Sequence, residues 1–546
     1  MNSSIQTATA RQAAPEATTS ARRPSRRRLL LSFITVFVAR GLGLVLGLAV
    51  AVLLANRLGA SASTDAFFFA RRLTSGASDA IRKVIAVGYI PVVVADIRQR
   101  GQRSAVLLWR RRFARLLLVA LAVAIAVALG APLLVALIAP GFAPAAADQA
   151  AFLLGLLAFT IPISLALAAL ATFLLASRRF GLPEAMSELP RVLTVAALLL
   201  LIPPFGVTVL AIALLLGAGL AASALATILW RQVRHAPATE EPAGDAEARR
   251  PAGRVLPAAL MHAYSQASLW MAFGFASTLG AGGVSVFEYG IRLTGLLPSV
   301  LGTSFASVAY TELAHRSGEA GAQLQVSVMR SLRAATFIVL PVVTFVAVAA
   351  EVLVDLVLKH GVFDETSALN TITVIRFYSP GVAAAAMTSI LLIGLYADPK
   401  APHLRIALGA AATGLLLRAG AMMLAIDAFG LVGLPLAASF ADAAVLALVG
   451  TLVARHWRQF FGKRDLVVLA SIGLATAAAG STAYVMLQIL ASAGSIWLQI
   501  QALAAAGFAA VVVYLLAAVL LRIPEFQIVR SQLPFGLGKK AHAAQS

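Results

Sequence analysis

Between Leu29 and Arg522 the chain is a succession of long apolar runs separated by short polar ones, and that pattern leaves few folds open. A helix needs about 20 predominantly apolar residues to cross the hydrocarbon core of a bilayer. Fourteen stretches meet that length or approach it: 29–56, 66–95, 113–138, 150–176, 188–203, 207–230, 256–280, 283–311, 334–357, 368–396, 404–426, 430–453, 466–490 and 495–522. Of the 546 residues, 60% are hydrophobic and 12% charged, with mean hydropathy +0.89, too little polar surface for a soluble chain of this size. The expected fold class is an all-α polytopic membrane protein with 14 transmembrane helices.

The net charge of +21 is a topology signal before it is a sign of nucleic acid, because the basic residues fall in short loops between apolar runs. With the amino terminus inside, the inward loops hold Arg98, Arg100, Arg103, Arg110 to Arg112, Arg178, Arg179, Arg231, Arg234, Lys400, Arg405, Arg455, Arg458, Lys463 and Arg464. The outward loops hold little beyond Arg57 and Lys359. Both termini are therefore expected in the cytoplasm of a cell whose membrane the chain crosses many times. The absence of cysteine excludes disulfides, thiolate metal sites and a cysteine nucleophile.

Residues 1–28, rich in Ala, Ser, Thr and Arg without apolar periodicity, read as a disordered basic cytoplasmic tail. A hydrophilic linker, 231–255, separates a six-helix lobe over 29–230 from a second over 256–453. Residues 466–522 form an appended pair of helices, and 523–546 a second cytoplasmic tail. The lobes are copies. At an offset of about 220 residues Arg72-Leu73-Thr74 meets Arg292-Leu293-Thr294, Gly141 meets Gly361, Pro162 meets Pro380 and Pro183 meets Pro402. Six helices per copy return the chain to the same side, so this is a parallel repeat, and a substrate would bind between the lobes.

Within the second stretch, Arg71, Arg72, Asp79, Arg82 and Lys83 stand where lipid would be their neighbour. A cation at bilayer depth costs at least about 2.5 kcal/mol, so these residues should face a bundle interior or a watery cavity. The repeat extends that inference, because Arg72 and Arg292 hold equivalent places and would approach one central cavity from opposite sides. Arg40, midway along the first stretch, faces either the cavity or broken backbone carbonyls. Asp65 begins the second stretch as a helix cap or a gating group. Asp79 can neutralise Arg72 or Arg82, and Glu288 is placed to pair with Arg292 four residues on. Arg418 and Asp442 read as a structural ion pair. The seven histidines never reach metal-ligand spacing, and no phosphate loop is present. No catalytic residue, metal or cofactor is expected, and the prominent chemistry is the binding of negative charge by fixed arginines.

The segments ARGLGL from Ala39, GASASTDAFFFARRL from Gly59, RKVIAVG from Arg82, LIAPGFA from Leu137, SRRFGLP from Ser177, YSQASL from Tyr264 and EYGIRLTGLLPSVLGTSFASV from Glu288 resemble the MurJ/MviN lipid II flippases. That family lies in the superfamily of multidrug and oligosaccharidyl-lipid exporters. The resemblance implies a non-enzymatic flippase that moves undecaprenyl-pyrophosphate-linked peptidoglycan precursor across the cytoplasmic membrane by alternating access, serving cell-wall biogenesis and cell shape. It implies a cationic cavity for the head group and a groove at the last two helices for the lipid tail. By motif, Arg40, Arg82 and Arg292 correspond to its substrate-binding arginines, joined here by Arg72, with Asp65 as the aspartate of its TDAFF motif. The chain departs from the family pattern at Leu46, where a second first-helix arginine is expected, and at Val87, where an acidic residue is expected. Further partners would be cell-envelope synthesis proteins, with the transporter itself a monomer. The alternatives are a flippase for another polyprenyl-linked oligosaccharide, a drug exporter, which would call for acidic rather than basic residues deep in the lobes, and a non-transporting membrane scaffold.

Overall fold

The computed structural model describes residues 26–176, 181–201, 206–234, 255–298, 322–398, 400–457, 460–490 and 495–526. Helices fill almost all of them, and no strand occurs among the described residues. In chain order they are α1 (Arg26–Leu58), α2 (Ala62–Leu129), α3 (Ala131–Ile138), α4 (Pro144–Ala158), α5 (Thr160–Ala176), α6 (Gly181–Ser187), α7 (Leu189–Leu200), α8 (Thr208–Arg234) and α9 (Val255–Ser277). They continue with α10 (283–298), α11 (Ala322–Val348), α12 (Ala350–Val357), α13 (Glu365–Ala397), α14 (His403–Phe429), α15 (Gly433–His456), α16 (Lys463–Leu490) and α17 (Ile496–Leu520). The first helix starts at Arg26, inside the expected tail 1–28. Most of the expected linker lies outside the described residues.

At 1.5 Å per residue, a straight 68-residue α2 would be about 100 Å long, several times the bilayer core. It is a hairpin. Gly101, at φ 77° and ψ 163°, interrupts the helix in a conformation open to glycine alone. The rings of Tyr89 and Trp109 lie 5.5 Å apart across the fold, and the Trp109 indole donates a 2.7 Å hydrogen bond to Asp96. The basic segment around Arg98 to Arg112, expected as a loop, is thus helical on both sides of one residue.

By length and apolarity, nine helices among the described residues are able to cross a membrane, and one of these, His403–His456, joins two of the expected spans. The count of fourteen crossings remains an expectation. The charged arm 62–100 is absent from the nine because of the residues that make it interesting.

The repeat is visible in the backbone. Gly130 (φ −85°, ψ 2°) breaks the chain before the short α3, and Ala349 (φ −82°, ψ 3°) breaks it in the same way before the short α12. α1 packs on α6 and α7 as α9 packs on α14, and α2 packs on α4 and α5 as α11 packs on α13. The last two helices pack on each other and on α11 and α12.

Among the described residues, the two halves share a core at one end. At the end bearing the α1–α2 turn, Phe67, Phe68, Val135, Leu154 and Leu210 of the first half form one buried cluster with Phe273, Phe287, Val354, Ile375 and Leu434 of the second. At the opposite end each half keeps its own core, around Trp109, Phe113 and Phe173 in the first and around Val328, Leu392 and Trp457 in the second. Lipid offers no hydrophobic drive to press helices together, so close backbone approach must hold the shared end. The contacts there are crossed. The Gly141 N–H donates to Ser277 Oγ (3.2 Å), while the Val362 N–H donates to the Asn56 carbonyl (3.1 Å), so the turn after the short helix of each half sits on a helix end of the other. Gly361 lies at φ 64°, and a Cβ there would come within 2.3 Å of the Asn56 carbonyl oxygen.

Gly361→Ala should therefore destabilise the protein more than Gly206→Ala, since Gly206 shares the left-handed backbone (φ 60°) but has open space around it. The control should cost about 1–2 kcal/mol, the penalty of the left-handed conformation alone. Equal losses for the two variants in thermal unfolding would show that the crossed contact does not hold the halves.

Candidate functional site

Just inside the shared end, three side chains form a buried ionic bridge between the halves. Arg72 of α2 donates from Nη2 to Glu288 Oε2 at 2.5 Å, and Arg292 of α10 donates from Nε to Glu288 Oε1 at 2.5 Å. Helical spacing places Glu288 and Arg292 one turn apart on one face. Arg72 reaches the same carboxylate from a helix 216 residues away in sequence. Each guanidinium also stacks on a ring of the opposite half: Arg72 lies 5.3 Å from the Phe273 centroid, and Arg292 lies 5.2 Å from that of Phe68. Cation–π contact holds the guanidinium planes without consuming their N–H groups. The Glu288 side chain is 4% exposed, whereas those of Arg72 and Arg292 are 23% and 25% exposed. Both arginines thus turn part of their surface to accessible space while the carboxylate is covered.

Arg71 adds a third cation. Its Nη1 is buried and has no hydrogen-bond partner among the described residues, and Arg292 and Arg191 are among the charges that act on it. Three arginines against one carboxylate leave the cluster with a formal excess of two positive charges. Arg72 and Arg292 each contribute one nitrogen to Glu288 and keep others for an anion such as a phosphate. On the first-half side, Arg191 pairs with Glu188, whose carboxylate lies against Gly43, one turn along α1 from Arg40. The Arg40 side chain itself lies outside the described residues. Neither Glu188 nor Arg191 stood out in the sequence, where they occupy the shortest apolar stretch. Their spacing of three in a membrane-depth helix was the available signal.

Asp65 belongs to the seal and lies apart from the cluster. It is 1% exposed and accepts hydrogen bonds from Gly282 N (2.7 Å), Ser285 N (2.7 Å) and Ser285 Oγ (2.5 Å). The first three or four N–H groups of a helix lack partners within it. Asp65 supplies them for α10, capping a helix of the other half, while Ser61 and Thr64 make the capping box of α2 itself. The Tyr289 hydroxyl donates to the Gly59 carbonyl (3.4 Å) at the same junction. One turn below Arg72, Gly76 lies against Gln266 and Trp270 of α9.

Asp79 pairs with Arg82 and not with Arg72. That pair sits about 15 Å further along α2 at the helical rise, with side chains 43% and 56% exposed, so Arg82 does not join the Glu288 cluster. Arg418 and Asp442 pair within the second half, and Arg376 reaches Glu351 at 3.4 Å. No group of three or more potential metal ligands occurs among the described residues.

The family model for the lipid II flippase MurJ matches residues 54–504. A protein of Treponema pallidum (strain Nichols) described as a probable lipid II flippase MurJ is 25% identical over 124 residues, which are 22% of this chain and 24% of that protein. The match thus spans about a quarter of the curated relative. Among solved structures, a lipid II flippase MurJ in an inward closed conformation aligns with a TM-score of 0.71 at 16% identity, over 90% of this chain and 99% of that one. An inward-facing multidrug resistance MATE family transporter of the MOP superfamily aligns at 0.60 and 17% identity, over 77% of this chain and 95% of that one. Such likenesses show the fold, and the family match covers most of the sequence. The chain belongs to the MurJ lipid II flippase family.

Proposed function

We propose that this protein moves lipid II, an undecaprenyl-pyrophosphate-linked peptidoglycan precursor, across the bacterial inner membrane by alternating access, with no chemical step. One observation carries the reading: guanidinium groups from opposite halves converge on a single carboxylate and keep donors to spare. In this account Glu288 is an internal stand-in for the substrate's diphosphate. It holds Arg72 and Arg292 together in the empty protein, and the diphosphate takes its place. Arg71 belongs to the same site, while Arg40 and Arg82 extend it along α1 and α2.

The sidedness follows from charge. Arg231 and Arg234 end α8, Arg455 ends α15, and Lys463 and Arg464 begin α16, all at the end where the halves keep separate cores. By the positive-inside rule that end faces the cytoplasm, and the sealed end faces outward. The site is then reached from inside, between lobes 29–230 and 256–453. Asp65 is the latch of the outer seal, because opening outward must separate it from α10. The pair 466–522 gives the polyprenyl tail a lipid-facing path.

Arg72→Ala and Arg292→Ala should each weaken lipid II binding by about 1.5–3 kcal/mol, the worth of a hydrogen bond to a charged group, or roughly ten- to 150-fold. A vesicle assay with labelled lipid II checks the consequence. Folded variants that translocate at the unmodified protein's rate would contradict the site. Glu288→Gln keeps the shape of the bridge and removes the competing charge, so the precursor should bind more tightly and be released more slowly. An unchanged affinity would end the idea that Glu288 stands in for the substrate.

A further inference from the structure

A second cationic recess lies far from the arginine bridge, at the end of the appended helix pair. Lys463 and Arg464 in the first turn of α16 and Arg522 just past α17 line a cleft of about 390 Å³ whose remaining wall includes Val467, Leu521 and Ile523. None of the three cations has an ion-pair partner among the described residues. The two acids beside them are committed elsewhere: Arg333 of α11 holds Asp465 at 2.9 Å and Glu525 at 2.8 Å. Both carboxylates next to the cleft thus contact Arg333, and neither pairs with the three cations.

Arg522 carries an independent mark. Among the described residues it is the one non-glycine residue at positive φ, 53°. The Leu521 N–H donates to the Ala517 carbonyl (2.8 Å) and the Ile523 N–H to the Ala518 carbonyl (2.9 Å), a helix end at which glycine is the usual occupant. An arginine kept in a strained backbone conformation beside a cleft is the pattern of a side chain held for its charge.

The surroundings select the source of the anion. Leu466, Val467 and Leu520, next to the cleft, are 53%, 64% and 81% exposed, which on a membrane protein is a lipid-facing surface. We infer that this cleft binds the phosphate of an anionic phospholipid, with the head group on Lys463, Arg464 and Arg522 and the acyl chains along α16 and α17. Arg333, which ties α11 to both ends of the appended pair, makes the lipid part of the joint between that pair and the second half. The site shares no residue with the arginine bridge, so it stands whether or not that bridge receives a diphosphate.

The full-length protein in nanodiscs of phosphatidylglycerol or phosphatidylcholine tests this by native mass spectrometry of the lipid retained. Phosphatidylglycerol should be retained preferentially, and Lys463→Ala, Arg464→Ala and Arg522→Gly should each reduce retention about fivefold, the worth of one basic residue near an anionic surface. Arg522→Gly also relieves the strained backbone, so it should lose lipid while melting no lower than the unmodified protein. Arg72→Ala should retain phosphatidylglycerol fully. Equal retention of the two lipids, or no loss in the triple variant, would overturn the site. Displacement by inorganic phosphate would assign the cleft to a soluble anion, and displacement by undecaprenyl pyrophosphate would assign it to the cargo path; either result also refutes the proposal.

Discussion

A guanidinium cannot face hydrocarbon, and at membrane depth it must find either an anion or water. In this protein Arg72 and Arg292 find both. Glu288 takes one nitrogen of each, Phe273 and Phe68 support their planes, and about a quarter of each side chain stays accessible. Breaking such a buried pair by removing one partner is costly, on the order of 3–5 kcal/mol. The bridge is therefore a structural tie between the halves, and under the proposed function it is also the charge that a diphosphate would meet.

The seal beside the bridge shows how two halves are fastened without a hydrophobic drive. Glycines at 141 and 361 let each short-helix turn reach backbone of the other half, and Asp65 closes the junction by capping a helix it does not belong to. All three contacts lie at one end. Among the described residues the opposite end has two separate cores, so opening the seal would divide the shared cluster and leave those two intact. Under the proposed function, this division between a joined end and a separate end is what alternating access would use.

Much of this was legible in the sequence because it follows from local rules. Apolar run length marks helical stretches that recur among the described residues, and the offset of about 220 residues pairs Arg72 with Arg292. What was hidden depends on partners far apart in the chain. Glu288 read as a local partner of Arg292, and only the fold shows that Arg72 shares it. Asp65 reads in the sequence as the cap of its own helix or as a gating group, whereas Ser61 fills the capping role and Asp65 serves α10, 220 residues away. Gly101 gave no sign of a hairpin, because a single glycine in a polar helix is ordinary until its backbone angles are known. Arg71 and the Glu188–Arg191 pair were visible as residues but not as members of the site, since neither has a counterpart in the other half to draw attention to it.

The most direct measurement of the central claim is a structure of the protein with undecaprenyl pyrophosphate bound. The account predicts diphosphate oxygens within hydrogen-bonding distance of both Arg72 and Arg292, with Glu288 displaced from at least one of them. A diphosphate bound elsewhere, with the Arg72–Glu288–Arg292 bridge intact, would contradict it.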